Sequence, residues 1–288
     1  MKYIELARVY ELLEKNASKL KKAEIVGQFL KDCPSEILEK VTLLLTGNLY
    51  PAWSQEESGI AGQLMIRGIA KASGETQEKV ISYFTKSGDL GKVTEHFISK
   101  RKQSSLGKRV LTVDKVVDNL RAVAKVGGIG SQDRKLDLIA ELLISSTPLE
   151  AKYIVKTILG ELRIGVAEGI LRDGISKAYN IDKKIVEGAW FLNQDYGEVA
   201  RIAKDKGETG LKNVKIKLGK PVAVLLAEKS PTLKEGVEKF DNSVAEMKFD
   251  GMRTQIHKDG ERVSIFTRRL DNVTNQFPEL VERVRKNV

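Results

Sequence analysis

The chain has 288 residues, 41% of them hydrophobic, which is enough for two packed domains. Forty-nine Lys and Arg against 39 Asp and Glu give a formal charge of +10 and a pI near 9.4; that balance suits a phosphate backbone, although highly charged thermophile proteins also show it. A single cysteine and two histidines exclude an internal disulfide and a Cys/His metal cluster, and no apolar run reaches the roughly 20 residues that a membrane-spanning helix needs.

Met1-Lys2-Tyr3-Ile4-Glu5 starts directly on an amphipathic pattern without a signal-peptide core, so a reduced, cytoplasmic setting is expected. From there to residue 211 the chain reads as helix almost throughout. Tyr3, Leu6, Tyr10 and Leu13 recur at helical spacing, as do Val116, Leu120 and Val123. Cys33 before Pro34 reads as a small packing residue at a helix start, and Trp53, Trp190, Phe191 and Tyr196 read as core. Gly74 and Gly207 are expected to stop helices, and Thr147-Pro148-Leu149-Glu150 to start one, with a capping threonine, a proline at the first helical position and a glutamate at the third. His96 and His257 stand apart from Cys and carboxylate partners, so neither is assigned catalysis. Lys100 to Arg109 reads as a solvated basic loop.

Two glycine-containing stretches interrupt the helices. Gly127-Gly128-Ile129-Gly130-Ser131, followed by Arg134 and Lys135, has two readings: backbone N–H groups that hold a phosphate at a helix start, or a simple turn with Ser131 as N-cap. Arg163-Ile164-Gly165-Val166-Ala167 sets small residues around an arginine, which permits close approach of another backbone. The period changes after the helical stretch. Val214-Lys215-Ile216-Lys217-Leu218 alternates strictly, Gly219-Lys220-Pro221 breaks it, and a helix is expected around Thr232 to Phe240. The expected organisation is mainly α: an all-helical domain over 1–211, then the start of an α+β domain over 212–288.

Chemistry concentrates in Glu246-Met247-Lys248-Phe249-Asp250-Gly251-Met252-Arg253, read as a strand bearing Lys248 that ends in a loop. A lysine amine attacks phosphorus only when neutral, and a neighbouring cation such as Arg253 favours the neutral form. Asp250 can position the amine, and Gly251 lets a triphosphate approach the backbone. Two alternating runs, Thr254 to Lys258 and Glu261 to Phe266, are joined by Asp259-Gly260, the signature of a tight hairpin. Thr267-Arg268-Arg269 then brings two guanidinium forks back toward the lysine, and such forks bind phosphate bidentately.

Lys248-x-Asp250-Gly251-x-Arg253, with Glu246 ahead and Phe266-Thr267-Arg268-Arg269 behind, resembles the start of the nucleotide-binding domain of ATP-dependent DNA ligases of the archaeal and eukaryotic replicative type. Gly130 to Lys135, Gly160 to Glu168, and Gly219-Lys220-Pro221 with Leu226-Ala227 resemble further segments of those ligases, so the likeness runs the length of the chain. RNA ligases and mRNA capping enzymes share the K-x-D-G core, but capping enzymes lack such a leader.

The resemblance implies ATP as cofactor with Mg2+ or another divalent cation, Lys248 as the residue adenylated, and Glu246 as reader of the adenine amino group. It implies that Arg253 and Arg268 contact nucleotide and phosphate, with Asp250, Gly251 and Arg269 supporting them. It also implies that Gly128, Gly130, Ser131, Arg134, Lys135, Arg163 and Gly165 contact nicked double-stranded DNA. The implied enzyme is a monomer that seals nicks in replication, repair and recombination. In some archaeal relatives the loop matching Lys100 to Arg109 docks on a sliding clamp through a glutamine and paired aromatics; here Gln103 is present, and Leu106 and Gly107 replace the aromatics. The chain stops before the family's later motifs, which would hold the metal, so no metal ligand is expected within it and the isolated stretch is expected to be inactive. A DNA-binding module without turnover and an RNA ligase or capping-type nucleotidyltransferase are the alternatives.

Overall fold

The apolar periodicity becomes packed helix from the first turn onward. The computed structural model describes all residues except 52, 55–61, 102–109, 129, 225–228, 241 and 245. The chain divides into two compact units, Met1–Lys215 and Ile216–Val288.

Among the described residues the first unit contains α1 (Tyr3–Lys15), α2 (Lys19–Asp32), α3 (Leu38–Leu45), α4 (Gly62–Ser73), α5 (Gln77–Ser87), α6 (Leu90–Ser99), α7 (Val113–Lys125), α8 (Ser131–Ser145), α9 (Pro148–Ile158), α10 (Glu168–Tyr179), α11 (Lys183–Asn193) and α12 (Tyr196–Lys212). Tyr3, Leu6, Tyr10 and Leu13 all point inward from α1, and Val116, Leu120 and Val123 from α7. The α9 helix is buried on every side, because α1, α6 and α8 surround it. Its start is the expected capping box: Thr147 accepts from the Glu150 N–H while the Glu150 carboxylate accepts from the Thr147 N–H. Two reciprocal bonds satisfy donors that a helix start otherwise leaves open. Cys33 is buried, and burial pushes its thiol up to about 11, as suits a packing residue.

The α2–α10 crossing is close because glycine stands on both sides of it. An added Cβ at Gly174 would lie 2.6 Å from Val26 Cγ1, and one at Gly27 would lie 3.0 Å from the Gly174 carbonyl oxygen. An ion cluster ties α1 and α6 to α9. Glu14 accepts from Lys152 at 2.8 Å, Lys156 at 2.7 Å and the Tyr153 hydroxyl at 2.8 Å, and Lys156 also reaches Asp89 at 3.2 Å.

The second unit contains α13 (Leu233–Glu238), β1 (Thr254–Asp259), β2 (Arg262–Thr267) and α14 (Pro278–Asn287). The strands pair antiparallel from Thr254↔Thr267 to Asp259↔Arg262. One face of β2 packs Val263 and Ile265 with Val273 and Val284, a small core closed by α14.

Gly207 stops a helix as expected: its φ of 60° and ψ of −156° break α12 there, and a further helical stretch runs on to Lys212. Three expectations need correction. Ser131 is not an N-cap, since Gly130 takes that place in the left-handed conformation and Ser131 is the first helical residue. The hairpin turn is Gly260-Glu261 rather than Asp259-Gly260, because Asp259 pairs with Arg262 and the positive φ of 55° falls on Gly260. Lys248 does not lie on a strand: residues 246–250 form irregular backbone without a ladder partner among the described residues.

Candidate functional site

Lys248 sits on an exposed irregular stretch with Glu246, Met247, Phe249 and Asp250, all of them exposed. Phe249 is 90% exposed and Met247 83%, so the apolar residues around the lysine are uncovered. Gly251 has no positive φ, and an added Cβ there would meet nothing within 4 Å, so the chain's own packing does not require glycine at this position.

From Gly251 the chain enters the hairpin. The last ladder pair at its open end is Thr254↔Thr267, so Arg253 and Arg268 both adjoin that pair, one entering β1 and one leaving β2. Both arginines are exposed. A tight turn carries Arg268 and Arg269 outward. The Thr267 N–H donates to the Asp271 carbonyl at 2.9 Å and the Leu270 N–H to the Thr267 carbonyl at 3.0 Å. The Thr267 hydroxyl donates to Asp271 Oδ2 at 3.0 Å and accepts from the Arg269 N–H at 3.2 Å. Leu270 holds a left-handed φ of 72° in this turn while its side chain is buried. That conformation costs on the order of 1 kcal/mol for a residue with a Cβ, and burial of the leucine offsets it.

Sequence reasoning missed the residues that brace this hairpin. Gln255 Oε1 accepts from the Val222 N–H at 2.9 Å and its Nε2 donates to the Val222 carbonyl at 2.5 Å. His257 Nδ1 accepts from the Gly219 N–H at 2.9 Å, its ring lies 5.1 Å from that of Phe266, and burial lowers its pKa. These two side chains pin residues 219–222 to β1. Alternation identified β1, but nothing local identified a partner more than thirty positions back.

In the first unit the described residues of the two glycine-containing stretches form loops. Gly128 and Gly130 take φ of 79° and 73°, which only glycine adopts at little cost. Arg134, one turn into α8, donates to the Gly127 carbonyl at 2.9 Å and so closes the loop on itself; Gly130 and Arg134 are exposed, and Ser131 and Lys135 are half-buried. The second loop alternates buried Leu162 and Ile164 with exposed Arg163 and Gly165. Arg163 has φ of 44° and Gly165 φ of 70°, so the arginine is held outward by two buried neighbours. Lys22 supports the loop from α2: it is 9% exposed and donates to the Ile164 carbonyl at 2.6 Å. No sequence signal links positions 142 residues apart.

His96 stacks on Tyr83 with centroids 4.3 Å apart, a packing role. Among the described residues no three His, Cys, Asp or Glu side chains gather where they could hold a metal ion, and no helix is long and apolar enough to cross a membrane. Gln103, Leu106 and Gly107 lie outside the described residues, as do Ile129, Leu226 and Ala227.

The model of a family described as DNA ligase N terminus matches residues 2–176, and one described as ATP dependent DNA ligase domain matches residues 224–288. The chain is 42% identical over 289 aligned positions to a DNA ligase of Thermococcus fumicolans, with 100% of this chain and 52% of the relative covered. It is 43% identical to a DNA ligase of Nanoarchaeum equitans, covering 100% and 51%, and 41% identical to one of Methanobrevibacter smithii, covering 98% and 51%. The chain therefore spans about half the length of the curated relatives it matches.

Proposed function

We propose, since the chain belongs to the DNA ligase family, that it is the portion of an ATP-dependent DNA ligase that grips nicked duplex DNA and supplies the lysine that carries AMP. The observation that carries this reading is the register of the hairpin. With Thr254 opposite Thr267, Arg253 and Arg268 adjoin the same end of the ladder, five and twenty positions after Lys248. Two guanidinium groups at that end suit the α-phosphate of ATP and, later, a 5′-phosphate.

In the proposed reaction the neutral Lys248 Nζ attacks the α-phosphorus of ATP. A P–N bond forms, the bond to pyrophosphate breaks, and the lysine proton leaves to solvent. The 5′-phosphate of the nick then attacks the lysine-bound AMP and frees the amine. Finally the 3′-hydroxyl attacks the activated 5′-phosphate, the phosphodiester forms and AMP departs. Glu246 accepts from the adenine amino group and disfavours guanine, whose carbonyl would oppose it. Asp250 positions the amine, and Gly251, where the fold leaves open space, admits the triphosphate. Arg269 supports the phosphate contact. The described residues do not assemble a metal site.

DNA contact is assigned to the first unit. Gly128, Gly130, Ser131, Arg134 and Lys135 form one phosphate-facing loop, and Arg163 and Gly165 form the other. An outward arginine between buried anchors suits the backbone or minor groove of a duplex. A second reading has its own support. Lys248 and Glu246 are exposed on irregular backbone, so this chain alone is expected to bind nicked DNA without turnover.

A gel-shift titration with nicked, intact and RNA duplexes tests the assignment. Preference for nicked DNA is expected, with Arg163→Ala weakening it about tenfold at fixed salt. Equal retention of all three duplexes, or an unchanged shift with Arg163→Ala, contradicts it.

A further inference from the structure

Within the first unit a cavity of about 280 Å³ opens where the loop after α3, the start of α10 and the α11–α12 junction meet. It is large enough for a small planar head group with a short stem. One wall is aromatic: Trp190 and Tyr196 stack with centroids 5.0 Å apart and planes 12° from parallel. Leu171 adds an apolar patch.

The polar atoms left uncommitted here are mostly acceptors. Gln194 is only 6% exposed, and both of its donor bonds go to backbone carbonyls, of Trp190 at 3.2 Å and Phe191 at 2.9 Å, which leaves Oε1 without a partner among the described residues. Asn48 spends its Nδ2 on the Thr46 hydroxyl at 3.0 Å and keeps Oδ1. Glu168, exposed at the first position of α10, has among the described residues neither a hydrogen bond to its carboxylate nor an ion pair, and partial burial raises its pKa.

The nearby charges do not neutralise it. Arg172 is taken by Asp173 at 2.9 Å and Glu187 at 3.0 Å. Arg121 donates to the Leu49 carbonyl at 2.9 Å and lies 5.1 Å from the Tyr50 ring centroid. Asp195 adds a second carboxylate, turned to the Gly197 and Glu198 N–H groups. On a chain of net charge +10, this is an acidic, aromatic-walled recess.

We propose that the cavity is a receptor for an organic cation, an alkylguanidinium or alkylammonium head that places its charge against Glu168 and its apolar part against Trp190. A cation over an aromatic face gains about 1 kcal/mol, and more when partly desolvated. Acceptors without donors and a carboxylate without a cation are what such a ligand supplies. The site is independent of Lys248 and does not require the DNA contacts assigned above.

The test is titration calorimetry on this chain with agmatine, with N-acetyl-arginine amide and with neutral pentanol, all at matched ionic strength. Saturable one-to-one binding of either cation supports the proposal, agmatine pointing to a free metabolite and the arginine amide to a side chain of a protein partner. Glu168→Gln is expected to weaken binding about tenfold and Glu168→Lys to abolish it. Asn48→Ala, at an exposed position, is expected to weaken binding and stands in if either Glu168 variant loses its helical circular dichroism. In the wild type, affinity should fall as pH drops through the raised Glu168 pKa. No saturable heat with either cation, equal binding of pentanol, or unchanged affinity in Glu168→Gln and Asn48→Ala overturns the proposal.

Discussion

Glu14 holds two lysines and a tyrosine at once, and its behaviour can be worked out from that. Burial alone would raise its pKa, but hydrogen bonds from Lys152, Lys156 and Tyr153 outweigh burial and hold the carboxyl at about 2 against an ordinary 4.5. A carboxylate depressed by folding contributes stability above its unfolded pKa and loses it as pH falls through the folded one. Stability from this cluster is therefore complete above about pH 4.5 and decays from there toward pH 2. Thermal melts across that window should fall more steeply for the wild type than for Glu14→Gln. At neutral pH the same substitution is expected to cost about 2 kcal/mol, since it leaves two nearly buried ammonium groups with weaker partners; a cost under about 0.5 kcal/mol would contradict the cluster's role. At this scale the sequence exposed chemistry but not support. Lys248 stood out because its neighbours within five positions suit phosphate. Lys22, Gln255 and His257 were invisible because their partners are carbonyls and N–H groups far away in the chain.

Helix starts were legible wherever side chains fix them locally. Thr147 and Glu150 spell out their own reciprocal bonds, and Thr147→Ala should cost about 1 kcal/mol in chemical denaturation, with no loss expected if the cap were incidental. Helix crossings were not legible. Nothing in the sequence marks Gly27 or Gly174, yet a side chain at Gly174 would collide with Val26 on α2. Gly174→Val is expected to destabilise by about 2–3 kcal/mol, whereas the same change at exposed Gly169, whose added Cβ meets nothing within 4 Å, should be close to neutral because valine has the better helix propensity. The hairpin was foreseen from alternation, and its turn was displaced by one residue because the ladder extends to Asp259↔Arg262. The expected strand at Lys248 fails for a plain reason: a strand needs a neighbour, and residues 246–250 have none among the described residues.

At the level of the molecule the two units differ in how completely they close. The first wraps a continuous core around α9. Among the described residues the second gathers a small core around Val263, Ile265, Val273 and Val284 and leaves Leu233, Val244, Met247 and Phe249 more than four-fifths exposed. Among the described residues nothing covers the apolar residues beside the candidate lysine. In native-state hydrogen exchange, amides of α1 and α9 should be protected far longer than those of β1, and equal protection would contradict two units of unequal stability. In the proposed reaction Lys248 accepts AMP. The direct measurement is peptide-resolved mass spectrometry of the protein, extended to the full length of its relatives, after incubation with ATP. One added AMP on Lys248, lost on acid treatment and absent from Lys248→Ala, is the predicted result; an adduct on another residue, or one that survives Lys248→Ala, would contradict it.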